Sequence, residues 1–124
     1  MGIQAFNASN PEGLPLSAAI RAGDFVFVSG MVGFGEGEEV VPGGVGPETE
    51  KIIADLVDVL GEAGIALEHV VKSTVFLTDA ADFDTFNAVY AKHFNKRPPA
   101  RITVVSDLTI DAKVEIDFIA YCGT

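Results

Sequence analysis

Residues 113–121 read KVEIDFIAY, and this stretch decides the fold because its two faces differ in character. Successive side chains of a strand point to opposite sides of a sheet. One side would carry the apolar set Val114, Ile116, Phe118 and Ala120. The other side would carry the mixed set Lys113, Glu115, Asp117, Ile119 and Tyr121. The pattern predicts a strand with one face buried under helices and one face left uncovered.

The uncovered face ends in Ile119 and Tyr121, which makes it too apolar for a plainly solvated surface. Exposed apolar patches of this kind mark contacts between protein chains. A half-wet face of an antiparallel sheet is the other interpretation that the residues leave open. We expect an interface between copies of the chain.

Four further elements follow from apolar periodicity and from glycine and proline positions. Residues 24–29 predict a strand stopped by Gly30, and the glycine-rich segment 30–46 predicts a mobile loop. A helix should begin near Pro47 and end at Gly64, and residues 69–77 predict a second strand. A second helix should begin at a cap supplied by Asp79 or Asp82. Its apolar stripe comprises Phe83, Phe86, Val89, Tyr90 and Phe94.

Residues 101–106 predict one more strand, placed after two prolines that cannot continue a helix. Two helices that alternate with strands indicate an α/β (α+β) protein, a two-layer sandwich with a mixed sheet. Each helix has one apolar stripe, so both helices should cover the same face. At 124 residues, the chain is expected to form a single domain over 1–124.

Composition excludes several classes of function. The formal net charge of -10 argues against a nucleic-acid partner, and no apolar run is long enough to span a membrane. With His69, His93 and Cys122 as its only soft ligands, the chain offers no metal site. Residues 43–46 lack the Lys-Ser/Thr ending of a phosphate loop, and we expect no cofactor. The lone cysteine and the absence of a signal-like start predict a cytoplasmic location.

Arg101 stands directly after Arg97-Pro98-Pro99-Ala100, at the start of a predicted strand. A guanidinium on such a rigid element presents a planar fork of donors that suits a carboxylate. An ion pair with one of the many acidic side chains is the alternative, and spacing alone does not choose between them.

Five segments together resemble the RidA/YjgF/UK114 family of reactive-intermediate deaminases, from about Ser17 to Ala120. They are FVFVSG (25–30), VVKSTVFL (70–77), Asp82-Phe83 with Asn87 and Tyr90, Pro99-Ala100-Arg101, and Val114-Glu115-Ile116. The resemblance implies a chorismate-mutase-like fold and a homotrimer whose sheets line a central barrel. Ligand clefts would lie between subunits.

The resemblance also implies the chemistry, which is the hydrolysis of 2-imino acids or their enamines to 2-oxo acids and ammonia. Arg101 would hold the substrate carboxylate, and Glu115 would activate the attacking water. Backbone N–H groups around Ser29-Gly30 and at Thr103 would add donors, and Asn87 and Tyr90 would lie near the cleft. A pairing of Glu115 with Lys113 or with a neighbouring strand is the alternative role for that side chain.

Three positions depart from the family pattern. Leu16 stands where relatives commonly carry tyrosine, Met31 replaces a common glutamine, and Thr103 replaces a common cysteine. A cleft with Leu16 and Met31 would be more apolar, and the phenol that positions the substrate's reacting end would be missing.

Two other functions therefore stay open beside the deaminase. One is a non-catalytic trimer that binds small carboxylate metabolites or regulates a partner enzyme. The other is a deaminase for a pathway-specific enamine of the aminomuconate type.

Overall fold

The computed structural model describes residues 2–7 and 13–123. The strands in this part of the chain are β1 (Ile3–Phe6), β2 (Ala19–Ala22), β3 (Phe25–Met31), β4 (Val70–Leu77), β5 (Ala100–Val105) and β6 (Val114–Tyr121). The helices are α1 (Val45–Glu62) and α2 (Phe83–His93), with short 3-10 turns at Glu36–Glu38, Leu67–His69 and Ala80–Asp82. No helix among these residues is long and apolar enough to cross a membrane.

All six strands form one mixed sheet in the order β1-β2-β3-β6-β4-β5. Neighbouring strands are antiparallel except β4 and β5, which run parallel. Parallel neighbours need a crossover connection, and α2 lies in the segment that joins them. The predicted α+β architecture is confirmed, with β6 inside the sheet and β5 at its edge.

Helix α1 begins at Val45, so Pro47 falls in the first turn, where a missing N–H is tolerated. The helix ends at Glu62, and the chain reverses at Gly64 with a φ of 77°, a conformation that favours glycine. Its apolar stripe is fully buried at Ile52, Leu56, Val59 and Leu60. The prediction for this helix is confirmed.

Asp79, and not Asp82, provides a side-chain cap, and it caps the 3-10 turn Ala80–Asp82 that leads into α2. The Asp79 carboxylate accepts a hydrogen bond from the Ala81 N–H at 2.9 Å, whereas Asp82 makes no capping bond. Phe86 and Tyr90 then face the core, but Phe83 at the first position stays 41% exposed. The predicted stripe is therefore buried only after its first turn.

The alternation predicted for 113–121 holds along β6. Val114, Ile116, Phe118 and Ala120 are almost completely buried in the core beneath the helices. The other side of the sheet, the open face, carries exposed apolar side chains on β3, β5 and β6, namely Phe25, Phe27, Ile102, Val104 and Tyr121. The two helices thus cover one face, as predicted, and leave a partly apolar face uncovered.

Two expectations about the first third of the chain were incomplete. Strand β3 does not stop at Gly30 but continues to Met31, with a register shift against β6 between Val28 and Met31. The segment 30–46 is also partly ordered, since it includes a 3-10 turn and a bridge between Phe34 and Val40. The short strands β1 and β2 were not located from the sequence.

Candidate functional site

Glu115 lies on the open face of β6, between the buried side chains of Val114 and Ile116. Its carboxylate has no ion pair or hydrogen bond with any residue that the structure describes, so the alternative pairing with Lys113 does not form. Burial, and then the charge of Asp117, raise the pKa of Glu115. A carboxylate with a raised pKa is a stronger base, which suits the removal of a proton from water.

The bulge in β3 brings the backbone of Gly30 against the Glu115 carboxylate. A Cβ atom at position 30 would overlap Oε2 of Glu115, so a larger residue there would displace the carboxylate. The neighbouring Ser29 hydroxyl donates to the Ser17 carbonyl at 2.6 Å, and the Ser29 N–H donates to the Ala18 carbonyl at 2.9 Å. Ser29 therefore anchors the segment before β2, and its N–H already has an acceptor within the fold.

A cavity of about 310 Å³ opens beside Glu115. Leu16 and Met31 both line it, together with Ser29 and Gly30, so these sequence-predicted residues do come together. The remaining lining residues are Leu14, Ala18, Val32, Phe34, Asp55, Val59, Thr109 and Ile110. The wall of the cavity around Leu16 and Met31 is apolar, as predicted.

Arg101 lies on β5, at the edge of the sheet, and its guanidinium rests against α2. The guanidinium carbon is 5.8 Å from the ring centroid of Phe83, 5.3 Å from that of Phe86 and 4.9 Å from that of Tyr90. Within the described chain no carboxylate lies within 4.0 Å of this side chain. The ion-pair interpretation of Arg101 is thus not supported, and the three rings hold a cation without a counter-ion.

In the part of the chain that the structure describes, some polar side chains around Arg101 have a hydrogen-bond partner, and others do not. The Tyr90 hydroxyl is 2.7 Å from the buried Ser73 hydroxyl, so Tyr90 offers its ring and not its hydroxyl to the site. Burial raises the pKa of Tyr90 and keeps it neutral. Thr103, two residues along β5 from Arg101, has a buried Oγ1 without a hydrogen-bond partner among the described residues. Asn87 is half-buried on α2, on the helical turn that joins Phe83 to Tyr90.

Arg101 and Glu115 lie on opposite sides of the sheet. Arg101 pairs in register with the buried Ser73, which places it on the helix-covered face. Glu115 pairs with Phe76 on the open face, and β4 separates the two strands. One chain therefore carries two separate groups of candidate residues: the Glu115 half-site with Leu16, Ser29, Gly30 and Met31, and the Arg101 half-site with Tyr90 and Thr103.

Two residues that support these half-sites were not recognised from the sequence as site residues. Glu48 is buried in α1, and its Oε1 accepts the Lys113 N–H at 2.7 Å, directly before Glu115's strand begins. Burial raises the pKa of Glu48, although bonds from the Lys113 and Val114 N–H groups act in the opposite direction. Phe83 was assigned to the core stripe, and only the fold reveals that it faces Arg101.

Among residues 2–7 and 13–123, no group of three or more His, Cys, Asp or Glu side chains is placed to hold a metal ion. His93 instead lies 2.6 Å from Glu50, which also pairs with Lys92 at 2.5 Å. These contacts join α1 to α2 on the outer surface, away from either half-site.

Comparisons with known proteins identify relatives with a similar sequence and a similar fold. The family model described as Endoribonuclease L-PSP matches residues 7–122. A RutC family protein of Pyrococcus abyssi is 41% identical over 116 residues, which cover 92% of this chain and 91% of that protein. Chloroplastic Reactive Intermediate Deaminase A of Arabidopsis thaliana is 41% identical over 108 residues, 86% of this chain and 58% of that protein. The crystal structure of RidA from an Antarctic Psychrobacter is similar with a TM-score of 0.85, 33% identity and 98% coverage of both chains.

Proposed function

Because this chain belongs to the RidA/YjgF/UK114 family, we propose that it is a deaminase that hydrolyses 2-imino acids to 2-oxo acids and ammonia. Arg101 binds the substrate carboxylate, and Glu115 activates water. The observation that carries the proposal is that both groups are unpaired among the described residues, although each is partly withdrawn from water. Such groups are held ready for an external partner.

The same observation supports a site shared between subunits. Arg101 and Glu115 face opposite sides of one sheet, so a single chain does not present both to one small substrate. Exposed Phe25, Phe27 and Tyr121 give the open face an apolar surface that a second copy would bury. We therefore propose a homotrimer in which Arg101 of one subunit faces Glu115 of the next.

In the proposed reaction, the two donors of Arg101 fix the carboxylate and bring the imine carbon beside Glu115. Water attacks the carbon of the protonated imine while Glu115 takes one of the water's protons, which forms a neutral carbinolamine. Glu115 then returns that proton to the nitrogen. The C–N bond breaks, ammonia leaves with the bonding pair, and the hydroxyl oxygen becomes the carbonyl of the 2-oxo acid as its proton passes to Glu115 and then to solvent. The proposed reaction needs no oxidant and no cofactor.

A mixing experiment tests both the residues and the shared site. Arg101→Ala and Glu115→Gln are each expected to be nearly inactive on 2-iminobutanoate generated in place by an amino-acid oxidase. The readout is the hydrolysis rate in excess of the buffer rate, in low-amine buffer. After the two variants are unfolded together and refolded 1:1, about a quarter of the head-to-tail sites should combine an intact Arg101 with an intact Glu115.

Recovery of about that fraction of the parental rate is the expected result, and each variant refolded alone is the control. No recovery, with mixed oligomers demonstrated by mass spectrometry, would show that both residues act within one chain. Full activity in either single variant would remove that residue from the mechanism.

A non-catalytic carboxylate binder is the second candidate. It is favoured by the Arg101 half-site, in which three aromatic rings hold the guanidinium without any involvement of Glu115. Parental protein that binds 2-oxobutanoate but adds nothing to imine hydrolysis would establish this function instead. RNA is a poorer substrate candidate despite the family model's description, because a net charge of -10 repels phosphate.

A further inference from the structure

The cavity beside Glu115 has a wall of hydrocarbon contributed by separate parts of the chain. Leu14 and Leu16 come from the segment before β2, Met31 ends β3, Val59 belongs to α1, and Ile110 lies in the loop before β6. Its volume of about 310 Å³ lies at the lower end of the range for small-molecule pockets, roughly 300–1,000 Å³. The cavity is therefore large enough for more than the methyl or ethyl group of the smallest imino acids.

Two of the four polar side chains in this wall, those of Ser29 and Asp55, are occupied within the protein. The Ser29 hydroxyl donates to the Ser17 carbonyl at 2.6 Å, and the Asp55 carboxylate pairs with Lys51 at 2.6 Å. A polar substrate side chain would lose water there without gaining enough partners, which is unfavourable. An acidic side chain would also meet the negative charges of Asp55 and Glu115.

We infer that this cavity receives the substrate's side chain and that the preferred substrates are 2-imino acids with branched or aromatic hydrocarbon side chains. The inference rests on the proposed function, because Glu115 at the cavity wall places the imine carbon at its mouth. Imines of alanine and serine would leave the cavity largely unfilled. Imines of aspartate and glutamate would be repelled.

Binding of stable 2-oxo acids tests the cavity assignment without any turnover. In a series from 2-oxobutanoate to 2-oxohexanoate, each added methylene should tighten Kd about fourfold until the cavity is full. 2-Oxo-4-methylpentanoate and 3-phenyl-2-oxopropanoate should bind more tightly than 2-oxobutanoate, and 2-oxoglutarate more weakly. Calorimetry measures all of them, and the excess hydrolysis rates of the matching imines should follow the same order.

Leu16→Asn and Ile110→Asn introduce a polar group into the wall at exposed positions, so the fold should survive. Each should reduce the preference for 2-oxo-4-methylpentanoate over 2-oxobutanoate at least threefold. Val57→Asn is the matched control, because Val57 is a similarly exposed apolar residue on α1 outside the cavity. Sedimentation of each variant checks that its assembly equals that of the parent.

The outcomes separate this inference from the proposed function. The cavity assignment is supported if Kd depends on the chain length of the 2-oxo acid and if Leu16→Asn and Ile110→Asn weaken that dependence. This holds even if no imine is hydrolysed and the deaminase proposal fails. The cavity assignment is overturned if imines are hydrolysed without a preference for larger side chains, or if the two variants leave that preference unchanged. The deaminase proposal stays intact in both cases.

Discussion

The two faces of the sheet handle their functional side chains in opposite ways. On the helix-covered face, the guanidinium of Arg101 lies against three aromatic rings of α2. On the open face, Glu115 has a raised pKa, and its carboxylate accepts no hydrogen bond from the described residues. In the proposed mechanism, the covered face supplies the charge that binds substrate, and the open face supplies the base.

Glu48 and Glu50 sharpen the contrast, because these acids have partners inside the fold. Glu48 accepts backbone N–H groups, and Glu50 pairs with Lys92 and His93, whose hydrogen bonds lower the pKa of Glu50. Structural acids are thus satisfied within the chain, whereas the two predicted catalytic groups are not. This difference supports the proposal that Arg101 and Glu115 act on a ligand, whereas Glu48 and Glu50 stabilise the fold.

The largest expected effect comes from placing a charge on the open face. Phe27 is 46% exposed there, and Phe27→Asp should dissociate the proposed trimer, because burial of an unpaired carboxylate is strongly unfavourable. Turnover should disappear with assembly. Sedimentation velocity measures the mass, and Val57→Asp, at a 47% exposed position on α1, is the control. A Phe27→Asp variant with the parental mass would contradict the interface.

Glu115→Gln comes next. It preserves the shape of the side chain but removes the base, so the excess rate on 2-iminobutanoate should fall about 10²–10⁴-fold. Binding of 2-oxobutanoate should change little. In the parent, the rate should decline as pH falls through the raised pKa of Glu115, since only the ionised form accepts a proton. A pH-independent parental rate would argue against this base.

The same substitution has the opposite effect on stability. A raised pKa in the folded state means that protonation of Glu115 favours folding, an advantage present below the unfolded pKa and lost as pH rises through the folded one. Glu115→Gln should therefore unfold at a higher temperature than the parent at pH 7 and at nearly the same temperature at pH 3. Calorimetry at both pH values tests this sign.

Glu48→Ala should lower the free energy of unfolding by about 1–3 kcal/mol, because it leaves backbone N–H groups at Lys113 and Val114 without their acceptor. Denaturant titration measures the change, with Glu62→Ala, at an exposed site on the same helix, as the control. Equal stability of the two variants would show that water replaces the Glu48 carboxylate.

The smallest effect is expected at Phe83. Removing one exposed ring with Phe83→Leu should weaken 2-oxobutanoate binding about two- to fivefold, in line with about 0.5–1 kcal/mol for an exposed cation–π contact. Leucine keeps an apolar side chain on the helix, so the unfolding curve should be nearly unchanged. Unaltered Kd values would mean that Phe86 and Tyr90 suffice to hold Arg101.

Local pattern predicted much of this fold. The alternation in 113–121 identified the covered and open faces, and Pro47 and Gly64 marked α1, because these signals act over a few residues. The strands β1 and β2 are only four residues each, which is too short for periodicity to register. Gly30 predicted a strand end, but there the chain bulges past Glu115 and continues.

Site prediction reached the residues but not their arrangement. Local sequence singled out Arg101, the resemblance supplied Glu115, and the alternation in 113–121 put Glu115 on the open face. The face that Arg101 occupies depends instead on long-range pairing, with Ser73 on β4. The loop residue Ile110 lines the cavity without any sequence signal, since its position follows from the packing of distant segments.

Gly30 has an evolutionary consequence. The three atoms nearest to a methyl group at this position all belong to the Glu115 side chain, so the carboxylate is the group that would move. Under the proposed mechanism, a single substitution of Gly30 would lower turnover and leave the Arg101 half-site in place. A lineage that acquired it would pass from the proposed catalyst to a metabolite receptor in one mutational step.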